Sequence, residues 1–466
     1  MRKTKIIATV GPATESDEAL RELVRAGASV FRLNMSHAKG AWVREIVPRI
    51  RDASDAAGCN TAVLMDLQGP SIRTGDVDGT LQLKPGDAFE FTLGGAVSEI
   101  PLSTSANYAG LAEDLSPGDV MLVDNGEIHL RVIETAPDRV RCEVLTEGAM
   151  GSRRHINLPG VYVRLPGLTD KDRTNIELAA EVGVDFVALS FAREAEHVEQ
   201  LRSLLEASGC AAQVVAKIED QEAVRNLDEI ILASDAVMVA RGDLGIEVHI
   251  EELPIIQRRI VRKCVKLGRR VIVATHMLES MVENPSPTRA EVTDVANAVY
   301  EEADAVMLSG ETSVGAYPTA CVEVLARIAE RNEGSGAGFA EAALLKTHKQ
   351  KTVKAAVTLA DSLPGSKIVV FTKRGVMANY VSNLRPRDAE VIAFAESANV
   401  VRGLVLSRAV TALEIAFCQH AEDTVVRGLE KLKQLGLAAA GDSVVVLSDV
   451  LGGEFVQDSI HLRQIE

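Results

Sequence analysis

Aromatic residues are scarce in this chain, at 3% of 466 positions with a single tryptophan, Trp42. That leaves little material for base-stacking platforms or for the aromatic belts of a membrane protein. Cysteine is sparse as well. The six, Cys59, Cys142, Cys210, Cys264, Cys321 and Cys418, are scattered without a Cys-x-x-Cys pair, which argues against a disulfide framework and a structural zinc site. They read as reduced, mostly buried thiols of a cytoplasmic protein. No run reaches the about 18 consecutive apolar residues that span a bilayer. The apolar stretch behind the basic start stops at Gly11-Pro12, too short for a signal-peptide core. An excess of positive charge is also missing: 50 Lys and Arg face 66 Asp and Glu, a net charge of −16, which opposes nonspecific attraction to nucleic acid or anionic lipid. An anionic substrate must therefore be captured by local positive charge.

What is present is ordinary soluble material, 47% hydrophobic and 25% charged, long enough for about three domains or one large barrel with additions. Eight short apolar runs alternate with amphipathic helical stretches: 5–10, 29–35, 61–67, 186–191, 214–218, 236–240, 271–275 and 305–309. Eight such units predict a (β/α)8 barrel, and polar residues cluster at the C-terminal ends of the runs, where barrels of this kind carry their active sites. Between the third and fourth runs the texture changes. Thr80-Leu-Gln-Leu-Lys-Pro-Gly-Asp87 and Val120-Met-Leu-Val-Asp-Asn-Gly-Glu127 alternate apolar residues with the turn pairs Pro85-Gly86 and Asn125-Gly126, the signature of small antiparallel strands joined by hairpins. These features predict a small inserted β-barrel domain at 71–166, with barrel segments at 1–70 and 167–333 and Thr169 capping the next helix. Past the glycine-rich Gly334-Ser-Gly-Ala-Gly338, runs at 367–372, 390–394, 403–406 and 443–447 predict an open α/β domain over 334–466.

Side chains alternate along a strand, so Arg32, Asn34 and Ser36 share a face while Leu33 and Met35 oppose them. On the inner face the three polar groups suit an anion site or cation-ligating oxygens; a solvated strand end is the plain alternative. By the same rule Lys217 and Glu219 stand side by side beyond a buried apolar run, where an ammonium is costly unless an anion receives it; a surface ion pair is the plain alternative. Asp243, at the next run, adds a second carboxylate, and two carboxylates suit Mg²⁺, which completes its shell with water and substrate oxygens. Gly242 lets backbone N–H groups approach an anion. Thr275, Ser309 and Glu311 sit at the same rim, where they serve either as helix caps or in hydrogen bonding and proton transfer.

These motifs, in order along nearly the whole chain, resemble the pyruvate kinase family. The resemblance rests on Thr4-Lys-Ile-Ile-Ala-Thr-Val-Gly-Pro12, Arg32-Leu-Asn-Met-Ser-His37, Ile72-Arg-Thr-Gly75, Ala216-Lys-Ile-Glu219, Met238-Val-Ala-Arg-Gly-Asp-Leu-Gly245, Met277-Leu-Glu-Ser-Met281, Pro287-Thr-Arg-Ala-Glu291 and Met307-Leu-Ser-Gly-Glu-Thr312. It implies transfer of the phosphoryl group of phosphoenolpyruvate to ADP, giving ATP and, after protonation of the enolate, pyruvate. It further implies that Arg32 and Lys217 hold the phosphoryl group and that Glu219 and Asp243 bind Mg²⁺ (or Mn²⁺). Gly242, Asp243 and Thr275 would receive the substrate carboxylate. Asn34, His37, Arg73 and Lys171 would contact the nucleotide, and Ser309, Glu311 and Thr275 would line the path of the proton. The resemblance also implies a homotetramer, with no nucleic-acid or membrane partner.

Departures from the family pattern carry expectations of their own. Asn34, Ser36, Asp66 and the carbonyl of Leu67 can form a K⁺ site, but Ser71 stands where an acidic residue is usual, so a strict K⁺ requirement is not expected. His276 and Asp220 replace the usual Gln and Asn, which should alter kinetics without abolishing the reaction. Asp449 to Asp458 lacks the Thr-Asn pattern of sugar-phosphate-regulated members and gives no argument for activation by fructose 1,6-bisphosphate. Thr372-Lys-Arg-Gly375 reads as a phosphate loop or, more simply, a helix start. Another enolate-handling barrel, such as an aldolase, and a metabolite-sensing paralogue are the competing readings; the pairing of Lys217 with Glu219 and the inserted lid argue for phosphoryl transfer.

Overall fold

In the computed structural model, which describes residues 2–452 and 455–466, all eight runs form parallel strands of one closed barrel. They are Lys5–Thr9, Val30–Asn34, Ala62–Asp66, Phe186–Leu189, Gln213–Ile218, Ala236–Ala240, Arg270–Ala274 and Ala305–Leu308, called strands one to eight below. The period-two pattern sorts their side chains. Ile6, Leu33, Met65, Ala216 and Ile218 pack outward under the helices, while Ile7, Val30, Leu64, Val215 and Met238 fill the interior. Lys217 therefore projects from the interior face, above a layer of buried apolar side chains.

Local signals set the helix boundaries. Ser16 accepts a hydrogen bond from Ala19 N–H at the start of Asp17–Ala26, and Thr169 forms a capping box with Asp172 at the start of Asp170–Val182, as its position predicts.

The inserted segment is a mixed, half-barrel sheet in the order Ile156–Asn157, Val120–Val123, Ile128–Ala136, Arg139–Val144, Ala88–Thr92, Ser103–Ser105, with a separate ribbon of Leu81–Leu83 and Gly148–Met150. Asn125-Gly126 closes a hairpin, with Val123 opposite Ile128. Pro85-Gly86 turns the chain between strands that pair elsewhere, with Gly148–Met150 and Arg139–Val144. Phe89, Phe91, Met121, Leu130 and Val140 form this sheet's own buried core.

The C-terminal sheet has the order Val410–Glu414, Glu390–Ala395, Lys367–Phe371, Ser443–Gly452, Phe455–Gln464, parallel except for its last pair. One expected strand is absent. Gly403–Leu406 ends the helix Ala398–Leu404, and the strand follows at Val410–Glu414. The run is apolar for a different reason: Val405 and Leu406 join the barrel's interior cluster and plug its base. The 372–375 segment is a helix start, with Gly375 N–H donating to Thr372 Oγ1 at 3.1 Å. Within the Asp449 to Asp458 stretch, Gly453 and Glu454 lie outside the described residues. All six cysteines are free; Cys142, Cys264 and Cys321 are buried, and Cys59 is exposed. Among the described residues no helix is long and apolar enough to cross a membrane.

The plug is fastened by a buried ion pair. Arg385 donates to both carboxylate oxygens of Asp304, at 3.1 and 2.7 Å, and Asp304 also accepts from Val271 N–H at the start of strand seven. Both side chains are almost fully buried. Arg385→Leu leaves an uncompensated carboxylate and should destabilise the protein by about 3–5 kcal/mol in urea unfolding; a loss below about 1 kcal/mol would contradict the inferred role of the pair.

Candidate active site

At the barrel's C-terminal rim, neighbouring strands place two cations against two carboxylates. Arg32 Nε donates to Asp66 Oδ2 at 2.7 Å, and its other arm reaches Thr9 Oγ1 at 3.2 Å. Lys217 Nζ lies 3.2 Å from Asp66 Oδ1 and 2.9 Å from Glu219 Oε1. It also donates to Ser190 Oγ at 2.7 Å. Burial disfavours the ammonium, but Asp66 and Glu219 more than offset it, so the Lys217 pKa is raised above the usual lysine value. Burial likewise opposes ionisation of Asp66, yet Lys217 and Arg32 hold its pKa below the usual carboxylate range. Opposite charges at this separation outweigh desolvation.

Glu219 is the exception. Burial and the charge of Asp243 raise its pKa, against the opposing effect of Lys217. Its second oxygen accepts from Phe191 N–H at 2.7 Å, and Phe191 is held at φ +53°, a conformation rare for a bulky side chain. Asp243 lies in the short helix Arg241–Glu247, just beyond strand six. Among the described residues no group of three or more His, Cys, Asp and Glu converges as a metal cage. The donor set is thus two mutually repelling carboxylates, which fits a hard divalent cation that keeps most of its shell for water and substrate oxygens.

Gly242 N–H donates to Thr275 Oγ1 at 2.8 Å, and the Thr275 hydroxyl donates to Ala274 O at 2.6 Å. Thr275 and His276 both have positive φ, +66° and +53°. Arg241 holds this turn, donating to the carbonyls of Ala274 and Thr275 and, at 2.7 Å, to Asp294. Sequence reasoning missed Arg241, because its partners Ala274, Thr275 and Asp294 are remote from it along the chain. Glu311 is fully buried, one oxygen accepting from Leu278 N–H at 3.0 Å and the other from Ser309 N–H at 2.7 Å. Ser309 Oγ is buried and has no hydrogen-bond partner among the described residues. It lines a cleft of about 700 Å³ together with Arg32, Asn34, His37, Trp42 and Pro12.

Arg73 and Lys171 do not line that cleft. Arg73 donates to Ser71 Oγ and to Arg153 O, while Lys171 donates to Gln68 Oε1 at 2.7 Å. Both flank the inserted sheet, as their sequence positions suggest. Of the K⁺ candidates, Ser36 N–H donates to Asn34 Oδ1 at 3.1 Å, Asp66 is occupied by two cations, and Leu67 O accepts from Ser190 Oγ at 2.8 Å. Sequence reasoning also missed the inserted sheet's own contact with the rim. His155 packs edge-on against Phe191, with ring centroids 5.9 Å apart, and its Nδ1 is 3.8 Å from Asp243. Asn157 donates to the buried Glu247 at 2.9 Å.

Fold and rim together define a (β/α)8-barrel enzyme with an inserted sheet and a cluster of buried charges at its mouth. Residues 1–322 match the family model for the pyruvate kinase barrel domain, and residues 350–458 that for the pyruvate kinase alpha/beta domain. Plastidial pyruvate kinase 2 of Arabidopsis thaliana is 39% identical over 100% of this chain and 81% of its own length. The pyruvate kinase of Clostridium perfringens is 37% identical over 96% of both chains. The crystal structure of a pyruvate kinase from Cryptosporidium parvum superposes with a TM-score of 0.94 at 32% identity, covering 100% of this chain and 96% of that one. The chain belongs to the pyruvate kinase family and is a phosphotransferase.

Glu247, under the inserted sheet, gives a pH test. Burial, with the charge of Asp220, pushes its carboxyl up to about 7, against the hydrogen bond from Asn157. The unfolded chain loses this proton near the ordinary glutamate value, whereas the folded chain retains it. Stability from this group is therefore full at low pH and is lost as pH rises from about 4.5 to about 7, by about 3 kcal/mol in all. Glu247→Gln should remove that slope, so urea unfolding at pH 5 and pH 8 should show the variant gaining on the wild type at the higher pH. Parallel pH profiles would refute the assignment.

Proposed function

We propose that Lys217 and Arg32 hold the phosphoryl group of phosphoenolpyruvate as it passes to ADP. The observation that carries this reading is the buried Lys217 ammonium, kept charged by Asp66 and Glu219 at the mouth of the barrel. In the reaction the bond between phosphorus and the C2 oxygen of phosphoenolpyruvate breaks, and one forms to the terminal phosphate oxygen of ADP. The remaining enolate takes a proton at C3 to become pyruvate. Fixed cations beside the moving phosphoryl group stabilise the charge it spreads over its oxygens. Glu219 and Asp243 would hold Mg²⁺ or Mn²⁺, which supplies further neutralisation of substrate oxygens. Gly242 N–H and the Thr275 hydroxyl, which donate to Thr275 Oγ1 and Ala274 O in this structure, would exchange those partners for the substrate carboxylate.

Ser309, with a hydroxyl that has no partner among the described residues, and Thr275 line the proton's path. Glu311, whose oxygens already accept two backbone N–H groups, orients Ser309. Asn34 and His37 contact the nucleotide in the cleft, and Arg73 and Lys171 reach it when the inserted sheet closes as a lid, excluding water that would otherwise take the phosphoryl group. A homotetramer and a cytoplasmic location belong to this reading.

Two experiments test the proposal. Lys217→Met should lower turnover by roughly three orders of magnitude or more with folding and Mn²⁺ binding retained, as loss of a transition-state contact requires; unchanged turnover would sink the role. Pyruvate formation with Mg²⁺ should also proceed in K⁺-free buffer, because Arg32 and Lys217 already neutralise Asp66. Turnover confined to K⁺ would instead make Asn34, Ser36, Asp66 and Leu67 a required cation site.

A further inference from the structure

The Lys217 ammonium has three protons to give and three acceptors around it: Asp66, Glu219 and Ser190. Two of these acceptors have competing roles. Asp66 is shared with Arg32, and Glu219 is a candidate cation ligand. Among the described residues the Ser190 hydroxyl makes one other hydrogen bond, donating its own proton to Leu67 O at 2.8 Å. Its hydroxyl thus bridges the end of strand three to the lysine on strand five.

Ser190 is also fixed more firmly than a strand-end serine needs to be. The next residue, Phe191, is held at φ +53° by its N–H bond to Glu219. On the other side Gly69, at φ +69°, leaves no room for a side chain: a Cβ there would lie 2.8 Å from Ser190 Cβ and 3.0 Å from Ser190 O. The serine is buried. Backbone held in a sparsely populated conformation on one side, and a glycine kept bare on the other, mark a position the fold over-determines.

We infer that Ser190 is a positioning residue for the reaction, its hydroxyl anchoring the Lys217 ammonium to the Leu67 carbonyl while the other two N–H groups, which face Asp66 and Glu219 in this structure, turn to the phosphoryl group. The inference rests on the proposed role of Lys217. A lysine on a four-carbon stem keeps its charge without this anchor but loses its aim, and misplacement on the ångström scale costs rate with little effect on binding.

Ser190→Ala in the full chain should lower kcat by roughly 10- to 100-fold while KM for phosphoenolpyruvate and ADP stays within about threefold. The urea midpoint should stay near that of the wild type. Ser190→Thr, which keeps the hydroxyl, should restore kcat to within about threefold. Retained kcat in Ser190→Ala would overturn the inference. So would equal impairment of the alanine and threonine variants, which would assign the effect to packing, or a Ser190→Ala protein that is less stable but normal per folded molecule. Unchanged turnover in Lys217→Met would instead remove the underlying reading, so the two failures are distinguishable.

Discussion

The rest of the site depends on a charge balance inside a nearly closed space. Arg32, Asp66, Lys217 and Glu219 are brought together by register: Asn34 lies opposite Asp66 across strands two and three, and Lys217 projects from the face that Val215 shares with the barrel interior. Isolated burial of any of the four would be prohibitive, so each charge is stable only because its neighbours are present. The cluster therefore fixes where strands two, three, four and five end relative to one another. It also keeps Lys217 charged at the mouth of the barrel, where the proposed reading puts the phosphoryl group.

Around that cluster the backbone takes conformations that ordinary strand ends do not. Phe191, Thr275 and His276 all have positive φ, and each is held by a contact to a charged or polar group of the rim. Phe191 is tied to Glu219, while Arg241 grips the carbonyl of Thr275. Such residues persist only where surrounding interactions outweigh the local cost. Arg241 is itself secured by Asp294, so the turn that presents Thr275 is braced from the helix behind it. The inserted sheet reaches the same rim through His155 and Asn157, and its position is read by Phe191, Asp243 and Glu247.

The barrel was legible because a parallel strand buried on both faces must be apolar for its length, and such runs are hard to produce otherwise. Lys217 and Glu219 were legible for the converse reason, as charges that interrupt such a run. Ser190 was present in the fourth run but is small and uncharged, so only its hydrogen bonds distinguish it from a strand-end cap. Arg241 looks in sequence like any surface arginine; its role lies in carbonyls contributed from strand seven. His155 acts across a domain boundary, where no local pattern points. Gly403–Leu406 misled for an instructive reason: a plug that enters another domain's core has the same apolar texture as a strand of its own sheet. The final strand, Phe455–Gln464, was missed because its polar residues, such as Gln457, Asp458, Ser459 and His461, break up the apolar pattern.

The charge balance also constrains how two anionic substrates can meet on a chain of net charge −16. Counting Asp243, the cluster around Lys217 carries three carboxylates against the two cations Arg32 and Lys217. By themselves these five groups offer no net attraction to a phosphate ester or a nucleoside diphosphate. A divalent cation held by Glu219 and Asp243 changes the sign of the sum. It would also relieve a carboxylate whose pKa is raised by burial and by its neighbour's charge. The excess of acid at the rim is thus a reason for the enzyme to need a metal: the same carboxylates that repel the substrates on their own create the place where a cation can draw them in.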